Sequence, residues 1–314
     1  MKYSKILKIE KQASKIVYGC AIQDMLDGKN CNELLSSVTE SGINFFDTAR
    51  VYGKSEISLG KWLVNQNTDN LVIQTKCCHF DEKGARVGRT YALEDIQTSL
   101  ENLKIDKVDA LLLHRDDKSV SVEEIIDFMN EIIFKGYATA IGVSNWTTER
   151  IIKANAYAKA HGLTPFTITS PYYGLAEQFN EVYLDGEHLT GKEKQEEREK
   201  INEEKLSVVA YSALANGFFS GNYTASDMLN GNIPQKAKKG YLHPDNIERL
   251  RRTEQLAKQK GVTVSQIALA WLLTDEMDTY AVVGCSRKET IESTIKSCEI
   301  TLTQEERKYL NLGI

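Results

Sequence analysis

Along this chain, short and nearly all-apolar runs alternate with longer amphipathic ones. KIVYG precedes NELLSSVTESG, INFFD precedes SEISLGKWLVNQ, and LVIQTK leads to LEDIQTSLENLK. VDALLLH precedes VEEIIDFMNEIIFKG, ATAIGVSN precedes ERIIKANAYAKAHG, and FTITS opens a longer segment. LSVVAYS leads to ERLRRTEQLAKQKG and VSQIALAWLL, and AVVG leads to ETIESTIKS. The short runs are rich in β-branched residues and nearly all apolar, as strands are when both faces are buried in a parallel sheet. Gly42, Gly136, Gly162 and Gly261 close helical runs. Eight such units predict an α/β fold, a (β/α)8 TIM barrel forming one domain over residues 1–314. No GxGxxG follows the first strand, which disfavours a doubly wound dinucleotide domain. Two connections, after strands 6 and 7, are long, at about 171–205 and 214–246. Long loops on a compact barrel are usually functional. The charged stretch GKEKQEEREKINEEK reads as an exposed helix with i,i+4 ion pairs.

The polar residues that end the apolar runs carry the candidate chemistry. Asp47 closes INFF, Lys76 closes LVIQT and His114 closes DALLL, while Tyr52 follows Asp47 by one short turn. In a parallel barrel these downstream ends converge on one face, where barrel enzymes do their chemistry. An acid, a phenol, an amine and an imidazole gathered there point to proton transfer. Each residue also has a structural alternative: a helix cap, a packed ring, an ion pair, a satisfied core histidine. The four together, in this order, favour a site.

Composition narrows the class. The chain has 314 residues, of which 41% are hydrophobic and 26% charged, an ordinary globular balance. Its formal net charge of −5, with no long basic run, argues against nucleic-acid binding. No apolar stretch approaches the ~20 residues of a membrane span. The N-terminus lacks the apolar core of a signal peptide. The expectation is a cytoplasmic protein with no membrane partner. Six cysteines are scattered without a CxxC pair, and no His pair has zinc spacing, so no metal site is expected. Reduced thiols are the default in that compartment, with the vicinal Cys77–Cys78 pair the one candidate for redox sensitivity.

The segment GINFFDTARVYGKSEISLG resembles the aldo-keto reductases, which carry G-x-N-x-F-D-T-A-x-x-Y-G-x-S-E-x-x-L-G at the second strand. A lysine ending the third strand, LLLHRDD at the fourth and GVSNW at the fifth extend the resemblance from Val17 to Thr294. The resemblance implies a (β/α)8 barrel that interconverts a carbonyl and an alcohol with a nicotinamide cofactor. It also implies that Asp47, Tyr52, Lys76 and His114 form the catalytic tetrad. Hydride addition leaves charge on oxygen that must be stabilised and protonated. A phenol has an ordinary pKa of about 10. An adjacent ammonium lowers it, which Lys76 held by Asp47 is suited to do, leaving Tyr52 as the acid. His114 would orient the substrate oxygen.

By the same resemblance, Ser144 and Asn145 would bind the nicotinamide carboxamide, and Tyr211 would stack on its ring. Ser212, Leu214, Gly284, Gly19 and Cys20 would lie along the cofactor, and Ser286 and Arg287 would take the adenosine 2′-phosphate. Three positions depart from the family pattern: Ser170 stands where a glutamine is frequent, and Thr290 and Thr294 stand where an arginine and an asparagine are frequent. NADPH is favoured because Arg287 offers a bidentate phosphate contact, with NADH left open. His79, Arg115, Trp146 and Tyr173 are candidates to bind a small-molecule carbonyl substrate, with a sugar-like compound and an aryl aldehyde as the two alternatives. The oligomeric state is left open. The rival function is a nucleotide-binding regulatory subunit of the potassium-channel β-subunit type with little turnover. A barrel hydrolase or isomerase would leave Tyr52, Lys76 and GVSN unexplained.

Overall fold

A computed structural model describes residues 1–230 and 233–313. Gly231 and Asn232, in the second long connection, and Ile314, at the end of the predicted domain, lie outside the described residues. The chain begins with an antiparallel hairpin of β1 (Tyr3–Lys5) and β2 (Gln12–Ser14). The barrel strands follow: β3 (Ile16–Gly19), β4 (Phe45–Asp47), β5 (Val72–Cys77) and β6 (Val108–Leu113), then β7 (Ala138–Ser144), β8 (Ile168–Ser170), β9 (Ser207–Ala210) and β10 (Thr279–Val283). Each pairs in parallel with the next, and β10 closes on β3, giving the predicted eight-stranded barrel. Helices lie between the strands, among them Ser55–Leu63, Arg89–Leu103, Val122–Phe134, Thr148–Ala160 and Val264–Leu273. Among the described residues no helix is long and apolar enough to cross a membrane.

Strand alternation divides the core in two. Val17, Phe45, Val72, Ala110, Leu112, Ala140, Ile168, Val209 and Tyr280 fill the barrel interior. Their neighbours Ile16, Phe46, Ile73, Leu111, Leu113 and Val208 face the helices. Ile6 and Ile9, from the hairpin, belong to the inner cluster. The hairpin therefore plugs the barrel at the N-terminal ends of its strands. Lys11 pairs there with Asp109 at 2.8 Å and Lys15 with Asp278 at 2.5 Å. Asn44 ties in Gln12 and Asn70. With its lower mouth stopped, the barrel's large cavity lies at the other end, where the candidate residues were expected.

The glycine ending SEISLG has a packing reason. A Cβ on Gly60 would lie 2.0 Å from the Asn102 carbonyl oxygen, so the helix Ser55–Leu63 crosses the end of Arg89–Leu103 in backbone contact. The charged stretch after β8 forms a short 3-10 turn and the helix Gln195–Glu203. Lys200 pairs with Glu196 at i,i+4 as expected, but Lys194, Glu197 and Arg198 turn back to hold Glu187, Thr148 and the Leu189 carbonyl. The stretch is partly a strap, not only a solvated face.

Candidate active site

Asp47 is the last residue of β4 and Lys76 the second-to-last of β5, and both side chains point inward and up. The Lys76 ammonium donates to Asp47 Oδ1 and, at 3.0 Å, to the Thr48 carbonyl oxygen. Gln74, two residues earlier on β5, donates to the same Asp47 oxygen at 2.6 Å. Both members of the pair are buried, Lys76 3% and Asp47 5% exposed. A buried charge pair holds its place only when its remaining hydrogen-bonding capacity is met, and Gln74 and Thr48 do that here.

Tyr52 is positioned by the residues around it. Its amide donates to the Ala49 carbonyl, and its own carbonyl accepts from the Ser55 amide. The Ser55 hydroxyl donates to the Cys20 carbonyl oxygen at 2.8 Å and contacts Thr48 Oγ1 at 3.1 Å. Glu56, 2% exposed, accepts from Thr75 and Asn102. The serine and glutamate of GKSE thus brace the turn, and the Tyr52 ring lies 5.3 Å from the Lys76 nitrogen. His114, one residue beyond β6, packs edge-on to Tyr52 at 5.6 Å between ring centroids and to His79 at 4.7 Å.

Charge is set by this crowding. Burial pulls the Lys76 ammonium pKa down, but Asp47 and Tyr52 outweigh it and the net direction is up. Burial pushes the Tyr52 phenol up, against a downward pull from Lys76. The sequence argument had only the second of these effects, and burial exceeds it. Burial, then Lys76, His79 and Arg115, hold His114 well below the ordinary histidine value, so its ring is neutral. Burial and Arg115 lower His79 as well, against a Phe80 carbonyl contact that raises it.

These residues floor a cavity of about 1430 Å³. On one wall the Ser144 hydroxyl donates to the Ser170 carbonyl oxygen at 2.8 Å. Asn145 donates to Ser144 Oγ at 3.0 Å and accepts from the Tyr211 hydroxyl at 2.9 Å. Its φ of 60° lies in the left-handed region, which asparagine tolerates better than most residues. Gly19, Ser212, Leu214, Gly284, Arg287, Thr290 and Thr294 also line the cavity, as do His79 and Arg115. Other candidates lie elsewhere. Cys20 is buried behind the wall with Sγ near the Tyr18 carbonyl, and Ser170 reaches the site through its backbone oxygen. Ser286 is exposed beside the cavity, not in its lining. Trp146 does not reach the mouth: it packs in the outer core against Phe166, beneath Arg150. Tyr173 points away, its hydroxyl on Asp275 at 2.8 Å in a separate, smaller pocket.

Sequence reasoning missed Gln74, Tyr183, Asn216 and Lys236. Gln74 had a signal, a lone amide inside the apolar strand LVIQT. Tyr183, Asn216 and Lys236 lie in the long connections, where no periodicity shows which side chains turn inward.

A family model, the Aldo/keto reductase family, matches residues 15–311. The chain is 26% identical over 320 residues to a probable voltage-gated potassium channel subunit beta of Oryza sativa subsp. japonica, covering 96% of this chain and 92% of that one. It is 27% identical over 350 residues to versiconal hemiacetal acetate reductase of Aspergillus parasiticus, covering 99% and 96% respectively. A crystal structure of a thermostable aldo-keto reductase in complex with the inhibitor epalrestat superposes with a TM-score of 0.75 over 100% of both chains, at 22% identity, a likeness of fold. With a match that spans nearly its whole length, this chain belongs to the aldo/keto reductase family.

Proposed function

We propose that this chain is an NAD(P)H-dependent reductase that interconverts an aldehyde or ketone and its alcohol, with Tyr52 as the proton donor. The observation that carries this reading is the buried Lys76–Asp47 pair beneath Tyr52, with neutral His114 edge-on to the phenol, at the floor of a large cavity.

The cavity fits a dinucleotide. Its volume, about 1430 Å³, exceeds the usual several-hundred-Å³ small-molecule pocket and leaves room for nucleotide and substrate together. Ser144 and Asn145 present amide-complementary groups near Tyr211, and Arg287 offers a cation at the other end. Glu289 shares that end, so a 2′-phosphate would meet one cation and one carboxylate. NADPH is our first choice and NADH the alternative.

Bound reduced nicotinamide would supply a hydride to the carbonyl carbon. His114, neutral, donates a hydrogen bond to the substrate oxygen and fixes its approach. Tyr52 gives its proton to that oxygen as charge develops there. Lys76 then faces a phenolate, which its fixed charge stabilises without reorganisation. Asp47, Gln74 and the Thr48 carbonyl keep the ammonium in place through the cycle. The expected assay is quenching of protein fluorescence on titration with NADPH or NADH, then oxidation of the bound nucleotide by a panel of carbonyl compounds. Failure of both nucleotides to bind would overturn the reading. The similarity to potassium channel β subunits favours a second reading, a nucleotide-binding regulatory subunit. Tight nucleotide binding with no oxidation by any carbonyl would support it.

A further inference from the structure

The proposed reaction leaves unused a positive charge at the reacting end of the cavity. The acids that line the cavity are Asp47, already paired with Lys76, and Glu289, on the helix with Arg287 and Thr290. Arg115 and Lys236 also line it, and neither has a carboxylate within ion-pair distance among the described residues. Arg115 directly follows His114. Its Nη1 donates to the Leu184 carbonyl oxygen at 2.8 Å, and its guanidinium lies 5.5 Å from the Phe80 ring centroid. One corner of the guanidinium is thereby anchored. The Nε nitrogen has no acceptor, and no bond is formed by Nη2 among the described residues. Nε is closed to solvent, so the edge that a ligand can reach is the one carrying Nη2, whose N–H groups suit a charge-assisted hydrogen bond to a carboxylate.

Two further observations place this edge. The Arg115 charge is felt at Tyr52, His79, His114 and Tyr211, which sets it beside the proton-transfer groups. Lys236 lies 5.5 Å from the Tyr183 ring centroid, and Tyr183 precedes Leu184, so the two cations flank one short segment of the mouth. An arginine that served only to hold that segment would need Nη1 alone.

We propose that the substrate carries a carboxylate, bound through Nη2 of Arg115 with Lys236 adding positive potential, so that oxo acids are preferred to neutral carbonyls. This rests on the reading of the cavity as a carbonyl-reducing site.

The test compares kcat/KM for a series of ω-oxo carboxylates of increasing chain length with their methyl esters, using this chain with reduced nucleotide. Esters are matched in shape and lack the charge. The expected result is a preference for the carboxylates of roughly 10- to 100-fold, the range for a charge-assisted pair, at one favoured chain length. Arg115→Met should collapse that ratio towards one, and Arg115→Lys should restore only part of it. The wild-type ratio stands even where a variant misfolds. Turnover of esters and acids alike by the wild type overturns the carboxylate site while the reductase reading stands. An unchanged ratio in Arg115→Met reduces Arg115 to a loop anchor. Turnover of neither class at any chain length overturns the carboxylate site, and the wider carbonyl panel with the nucleotide titration then decides the reductase reading separately.

Discussion

Gln74 and Lys76 share one oxygen of Asp47, approaching it from neighbouring inward positions of the same strand. The amide is neutral and the ammonium charged, so the two donors share the acceptor without repulsion. Gln74 has one weakness: its own carbonyl oxygen is buried without a partner.

That weakness decides what Gln74→Met should do. The variant loses a hydrogen bond to a charged acceptor, about 1.5–3 kcal/mol, but also removes an unsatisfied buried oxygen of about 1–3 kcal/mol. The two nearly cancel, so the urea midpoint should move little. The reaction has no such offset, because Asp47 then holds Lys76 with one fewer restraint. A fall in kcat of about 10-fold, read with unchanged stability, would agree with a positioning role. A large loss of stability with unchanged kcat would contradict it.

Lys76→Met should reveal the opposition of forces on Tyr52. Burial raises the phenol and Lys76 lowers it, so removing Lys76 leaves burial without its main counterweight. Reduction uses the protonated phenol and the reverse oxidation uses the phenolate. The variant should lose alcohol oxidation more steeply than carbonyl reduction, and its oxidation profile should shift to higher pH. Parallel loss in both directions, with no pH shift, would show that Lys76 acts otherwise.

The neutral histidines make stability depend on acid. An unfolded chain takes up a proton at each histidine near pH 6.5. His114 and His79 in the fold resist that proton, burial being the first cause for each. Below about 6.5 the unfolded state binds more protons, and stability falls as pH falls. The melting temperature should decline between about pH 7 and 5, and His114→Gln should flatten part of the slope. An identical slope in the variant would show that His114 titrates normally.

Ile6 offers a control far from the chemistry. It is fully buried inside the barrel at the end opposite the cavity. Ile6→Ala should cost about 2–5 kcal/mol in chemical denaturation. Nucleotide affinity of the folded protein should stay within about twofold, since Ile6 is not among the residues that line the cavity. A matching loss of affinity would show that the hairpin shapes the upper mouth.

Much of this architecture is legible in the chain. Both-face burial makes β5 and β6 read as largely apolar runs, so the ionisable residues at their downstream ends, Lys76 and His114, stand out. The hairpin did not stand out. MKYSKILKIEKQASK is charged throughout, and only the fold reveals that Ile6 and Ile9 enter the barrel. Trp146 and Tyr173 follow strand ends in sequence, which is all that placed them at the mouth. Which way a side chain turns after a strand is set by what packs over it. Phe166 and Arg150 claim Trp146, and Asp275, on a distant loop, claims the Tyr173 hydroxyl.

The central claim is that Tyr52 passes the proton. Its most direct test is a single-turnover comparison of wild type and Tyr52→Phe, each loaded with reduced nicotinamide and mixed with a carbonyl compound that the wild type consumes. The account predicts equal nucleotide affinity and a fall in the oxidation rate of about 10²- to 10⁴-fold, the usual worth of a positioned general acid. Oxidation by Tyr52→Phe at the wild-type rate would contradict it.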